Sequence, residues 1–221
     1  MTKKIAVAAV TGMLLWAFPT PSRATIIGSD HDFSTRTWNT RANPCGTCHT
    51  MHHANTPQLI PLWIHKTTTS TFTPYSSATM TATVGQPSAA SLACLSCHDG
   101  TVAVNDYGGS VNGTAEYVTG TALFGTDLSV DHPISFTYDT ALATADGFLQ
   151  DPATRLVVGT GFSGTKTITQ EMLRYGKMEC VSCHDVHKQR GASSTSGISA
   201  VMSSKYTSSS SPGLCLTCHI K

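Results

Sequence analysis

The sequence predicts a mostly irregular chain with a few short helices and minor β structure, forming one domain over residues 25–221. Three observations carry that expectation. Two Ser/Thr tracts, TTTSTFTPYSSATMTATVG and STSGISAVMSSKYTSSSSPG, favour loop or extended backbone, because short hydroxyl side chains compete for backbone hydrogen bonds. Aromatic residues make up only 7% of the chain, so an ordinary apolar core would be thin. All eight cysteines fall in four copies of one five-residue motif, and a short helix is expected at each.

Taken in chain order, residues 1–24 read as a secretory signal that is removed. Lys3 and Lys4 precede an apolar run from Ile5 to Phe18, and Ser22-Arg23-Ala24 suits cleavage before Thr25. The run is shorter than the roughly 20 residues that span a bilayer. An exported chain without stable membrane insertion is expected. Loss of Lys3, Lys4 and Arg23 leaves 11 basic against 13 acidic residues, a net charge of −2. The sequence has no basic patch of the kind nucleic-acid binding requires.

The first motif, Cys45-Gly-Thr-Cys48-His49, sits in NPCGTCHTMHH. The others are Cys94-Leu-Ser-Cys97-His98, Cys180-Val-Ser-Cys183-His184 and Cys215-Leu-Thr-Cys218-His219. C-x-x-C-H is the spacing of c-type haem attachment: two thiols add to the vinyl groups and the adjoining imidazole reaches the iron. Disulfide frameworks and zinc ribbons also use paired cysteines, but neither needs a histidine after every pair. Four haem c groups are expected, with His49, His98, His184 and His219 as proximal ligands. They would supply the apolar mass the chain lacks.

Six histidines remain for four distal positions: His31, His52, His53, His65, His132 and His187. Met51, Met80, Met172, Met178 and Met202 could also ligate, but histidine suffices, and bis-histidine irons offer no open position to a substrate. An enzyme is therefore not expected. His52 follows His49 by three residues, and His187 follows His184 by three. On a helical turn each would project to the same side as its neighbour, so each should serve a different haem. His53, one step round, is the spare. His132 in VDHPISF is flanked by Asp131, which could orient the ring, and by Pro133. His31 in GSDHDFS and His65 in PLWIHKT compete for the fourth place.

Between motifs 2 and 3, Gly159-Thr-Gly161-Phe-Ser-Gly164 matches G-x-G-x-x-G, but Thr165, Thr167 and Thr169 follow and the segment leads into motif 3, so the glycines read as a turn. A longer helix is possible in ITQEMLRYGKMEC, residues 168–180. No H-E-x-x-H, nucleophile elbow or spare cysteine is present.

The order HDFS, CGTCHTMHH, PLWIH, YSS, GQPSAASLACLSCHDGTVAV, DHPISF, MECVSCHDVHK and CLTCH resembles the multihaem c-type cytochromes of metal-respiring bacteria, and in particular the OmcE type of extracellular tetrahaem cytochrome. The resemblance implies a multihaem cytochrome fold, and identical subunits polymerised into a conductive filament with a continuous haem chain. It also implies one iron ligated by a neighbouring subunit's histidine. His31, close to the mature N-terminus, is the first choice for that ligand, with His65 its rival. The expected partners are other multihaem cytochromes and extracellular acceptors such as metal oxides, reached after export through the periplasm. A monomeric periplasmic carrier and an electron-transfer subunit of a haem enzyme are the alternatives.

Overall fold

The computed structural model describes residues 26–54, 60–157, 164–187 and 213–220. The signal segment, the second Ser/Thr tract apart from Gly213, and Gly159 and Gly161 lie outside the described residues. The rest is mostly coil, with five short helices and two two-stranded antiparallel sheets.

Helix α1, Ala89–His98, is the longest described helix and ends on motif 2. It buries Ala90, Ala93 and Leu95 but also Ser91 and Ser96, so it faces polar as well as apolar neighbours. Strands β1, Asp106–Tyr107, and β2, Ser110–Val111, pair through a turn at Gly108 and Gly109. Both glycines have positive φ, +67° and +90°, as the turns that match hairpin twist require. The first Ser/Thr tract is coil with an isolated bridge at Thr73 and a turn closed by Ser77 and Met80, and Phe72 anchors it beside Leu95 and Leu128.

Strand β3, Phe136–Thr137, pairs with β4, Lys177–Met178, and so carries the DHPISF segment to motif 3. Between them, α2, Thr140–Asp146, is capped by the Asp139 side chain on the Leu142 N–H and ends at Gly147 in the left-handed conformation. Phe136, Tyr138, Ala143, Val157, Ile168, Met172 and Met178 form the main apolar cluster, closed by Cys218 of motif 4.

The longer helix expected over 168–180 does not form. Helix α3 covers only Ile168–Glu171, and Tyr175 and Gly176, with φ of +52° and +73°, turn the chain into β4. Reciprocal backbone bonds between Arg174 and Lys177, each 3.0 Å, close that turn. Motif 3 forms α4, Cys180–Cys183, and motif 4 lies in α5, Gly213–Cys218. Leu156 and Thr167, on either side of the glycine-rich segment, pair antiparallel. Among the described residues no helix is long and apolar enough to cross a membrane.

Candidate functional site

Three motifs end on helices, and motif 1 makes a single turn, with the His49 N–H donating to the Cys45 carbonyl at 2.8 Å. The chain then leaves the turn. His49 bridges to Trp63, His219 bridges to Leu149, and His184 has extended backbone at φ −110°, ψ 136°. The expectation that His49 and His52, or His184 and His187, share a helical face is therefore not met: extended backbone after the motif histidine carries the later ring away.

Long-range folding brings motif histidines against spare ones. The ring centres of His31 and His98 lie 6.1 Å apart, those of His49 and His187 6.0 Å, and those of His132 and His219 6.5 Å. A metal–imidazole bond of about 2.0–2.1 Å, plus roughly 1.1 Å from nitrogen to ring centre, sets two opposed ligands of one iron about 6 Å apart. Direct ring contacts can share that separation, so the nitrogens must also be considered. The Nδ1–H of His49 donates to the Pro61 carbonyl at 2.8 Å, that of His98 to Ala122 at 2.7 Å, and that of His132 to Pro133 at 2.9 Å. His187 Nδ1 lies 3.7 Å from Asp185 Oδ1. Such bonds fix the tautomer and leave Nε2 with its lone pair, as metal-bound histidines require. Burial first, and then the adjacent His98, hold the His31 imidazole below its ordinary value, so it too keeps a neutral ring near pH 7.

Among the described residues no group of three or more His, Cys, Asp or Glu converges as a metal cage. Histidines meeting in pairs suit an iron whose other four positions belong to a porphyrin. Buried polar atoms at the first two motifs point the same way: His31 Nδ1, Trp38 Nε1, Thr47 Oγ1 and Trp63 Nε1 have no hydrogen-bond partner in the protein. Thr47 lies inside motif 1, and Trp63 packs edge-on to His49 at 6.1 Å. A carboxylate-bearing group would satisfy such donors. The residues present therefore fit haem c, with each cysteine pair to hold it and one-electron chemistry as its contribution.

The remaining histidines divide sharply. His65 is buried, its Nδ1 2.8 Å from the Lys66 carbonyl and its Nε2 3.1 Å from each of the Ala103 and Val104 carbonyls and 3.6 Å from Cys97 Sγ. A nitrogen directed at two carbonyl oxygens is not offered to a metal. Against the expectation of an equal contest with His65, His31 is the one brought beside a motif histidine. It meets His98 of its own chain. His52 and His53 are exposed on the loop after motif 1, and His53 has φ +60°. His184 is half-buried at the end of α4.

None of the eight cysteines is paired in a disulfide. Burial pushes Cys48 and Cys183 up to about 11, and Cys97 and Cys218 up to about 12, so these are neutral sulfurs in apolar surroundings. Cys97 is close enough to Cys48, Cys94 to Cys180, and Cys183 to Cys215 for the second thiol of each pair also to raise the proton affinity of the first. The motifs thus adjoin in the order 1, 2, 3, 4. Sequence reading missed Glu179, a buried carboxylate between motifs 2 and 3, although an acidic residue between core Met178 and a motif cysteine was a visible signal. No protein-family model matches the chain, and none of the curated proteins is similar to it.

Proposed function

We propose that this chain is an exported tetrahaem c-type cytochrome that relays electrons one at a time, and that it works outside the cell as the subunit of a polymeric filament. The observation that carries the reading is the meeting of a motif histidine with a spare one in three pairs, His31–His98, His49–His187 and His132–His219, with ring centres 6.0 to 6.5 Å apart. In this reading Cys45, Cys48, Cys94, Cys97, Cys180, Cys183, Cys215 and Cys218 hold four haem c groups, with His49, His98, His184 and His219 proximal. His187, His31 and His132 close the distal sides of motifs 1, 2 and 4. Backbone carbonyls hold the ligand rings, so little reorganisation accompanies a change of charge on the metal. Histidine on both sides of an iron would leave no place for a substrate, so the reading is of a conduit and not an enzyme. In this reading motif 3 would take its second histidine from a neighbouring subunit.

The resemblance to multihaem cytochromes supplies the filament, and the motif order 1 to 4 gives a continuous path through one subunit. Other multihaem cytochromes and extracellular metal oxides are the expected donors and acceptors. His52 and His53 are placed to reach a neighbouring subunit, being exposed on one loop.

Intact mass and paramagnetic resonance of the exported protein test the cofactor, and electron microscopy tests the polymer. Four covalent haems with no sizeable high-spin fraction, together with filaments, are expected. A mass equal to the bare chain overturns the cytochrome reading, and discrete particles alone overturn the filament. The His52→Ala, His53→Ala double variant should shorten filaments, whereas His31→Ala should leave their length and convert one haem in four to high spin. The opposite pattern restores His31 as the link between subunits.

A further inference from the structure

Ser88 and Ser91 of the α1 region, Ser135 before β3 and Glu179 before α4 meet in a buried polar cluster. Glu179 is 2% exposed. Its Oε2 accepts the Ser91 hydroxyl and, at 2.9 Å, the Ser135 hydroxyl, while Oε1 accepts the Ser88 hydroxyl at 3.2 Å. Each serine oxygen in turn accepts an N–H. Ser91 takes the Cys180 backbone at 3.0 Å, Ser135 takes the Ser88 backbone at 3.0 Å, and Ser88 takes Lys177 Nζ at 3.5 Å. A hydroxyl carries one proton, so all three protons are turned on the carboxylate. The arrangement suits an acceptor-only, anionic Glu179.

No salt bridge joins Glu179 to a cation among the described residues. Lys177 is the cation within the cluster, and it stands one hydroxyl away. Burying a charge without a direct counter-ion is costly, and an amide or apolar side chain would hold these segments together at lower cost. The position gives the charge a use. Glu179 directly precedes Cys180, α1 packs against α4, and the Cys94 and Cys180 thiols adjoin. Those two thiols and Lys177 are the titratable groups that face the cluster.

Resting on the electron-relay reading, we propose that Glu179 is a built-in charge that lowers the reduction potentials of the groups held by motifs 2 and 3 relative to those held by motifs 1 and 4. An oxidised iron centre carries one more positive charge than a reduced one, so a nearby anion favours oxidation, and the effect falls with distance. The middle of the relay is thereby set lower than its ends.

The test is a redox titration of the full haem-loaded protein followed by paramagnetic NMR, which resolves each iron. Glu179→Gln keeps the side chain's size and one of its two accepting oxygens while removing the charge, and a serine hydroxyl turns to accept from the new amide. Two of the four potentials, those of motifs 2 and 3, should rise, and the other two should stay. Lys177→Met removes the cluster's cation and should lower the same two. No shift in Glu179→Gln, or an equal shift in all four irons, overturns the proposal. If that variant fails to accumulate, Lys177→Met decides alone, and an unmoved middle pair overturns it. A wild-type chain without haem removes the relay reading and this inference together, whereas four haems without a selective shift removes only the role of Glu179.

Discussion

Residues 47–106 and residues 136–178 fill their interiors with different chemistry. The first stretch buries Thr47, His65, Thr68, Ser91, Ser96, Asp99, Asn105 and Asp106 among apolar residues that include Trp63, Phe72, Ala93, Leu95 and Val104, whereas the second buries no polar side chain among its described residues. Asp99 accepts the Thr68 hydroxyl at 2.6 Å and the Thr101 backbone at 2.7 Å, and Lys66 pairs with Asp106 at 3.2 Å. The second stretch buries Phe136, Tyr138, Ala143, Val157, Ile168, Met172 and Met178 around each other. Satisfied hydrogen bonds contribute modestly, because they replace bonds to water, whereas buried apolar area is a direct driving force. The apolar half has a core of its own. The first stretch, where buried Thr47 Oγ1 and Trp63 Nε1 have no partner in the protein, is the one the proposed haems would complete; the second leaves Arg155 Nε in that condition.

The largest effect that could break this contrast is removal of those haems. A chain with all eight cysteines changed to serine should keep slow hydrogen exchange at Tyr138, Ile168 and Met178 and lose it across residues 47–66. Equal loss in both stretches would show that neither core stands alone. Next comes Ile168→Ala, in the apolar half, which should cost about 2–5 kcal/mol by the usual behaviour of large-to-small core changes and appear in thermal unfolding of the loaded protein. A cost within experimental error would remove the distinction from that side. The smallest effect belongs to the polar half. His65→Ala should cost about 1–3 kcal/mol, the penalty for leaving buried carbonyls unpaired, with the low-spin spectrum unchanged. A new high-spin signal would instead make His65 a ligand.

The cysteine motifs, the sparse regular structure and the surplus of histidine were legible in the sequence because each is local. Ligand pairing was not. His49 and His187 are separated by 138 residues, and only the fold decides that they meet. His31 and His65 have equally suggestive neighbours, yet one faces His98 and the other turns both nitrogens to carbonyls. The helix expected over 168–180 failed at Tyr175-Gly176, where a tight turn outweighed the helical propensity of the preceding residues. Glu179 escaped notice because hydroxyls from three separate segments surround it, and no sequence window contains them all.

Three of the imidazoles in the histidine pairs are steadied by main-chain oxygen at positions 61, 122 and 133. Every amino acid supplies that atom, so the identity of the side chain at those positions is released from selection by the ligand. Two of the three are occupied by proline, whose closed ring has no hydrogen-bonding group of its own to offer. On the proposed reading, such a protein can drift far in sequence and still relay electrons, provided that backbone path, paired cysteines and histidines are kept. Descent would then be traced more readily by the placement of a few rings than by the letters between them.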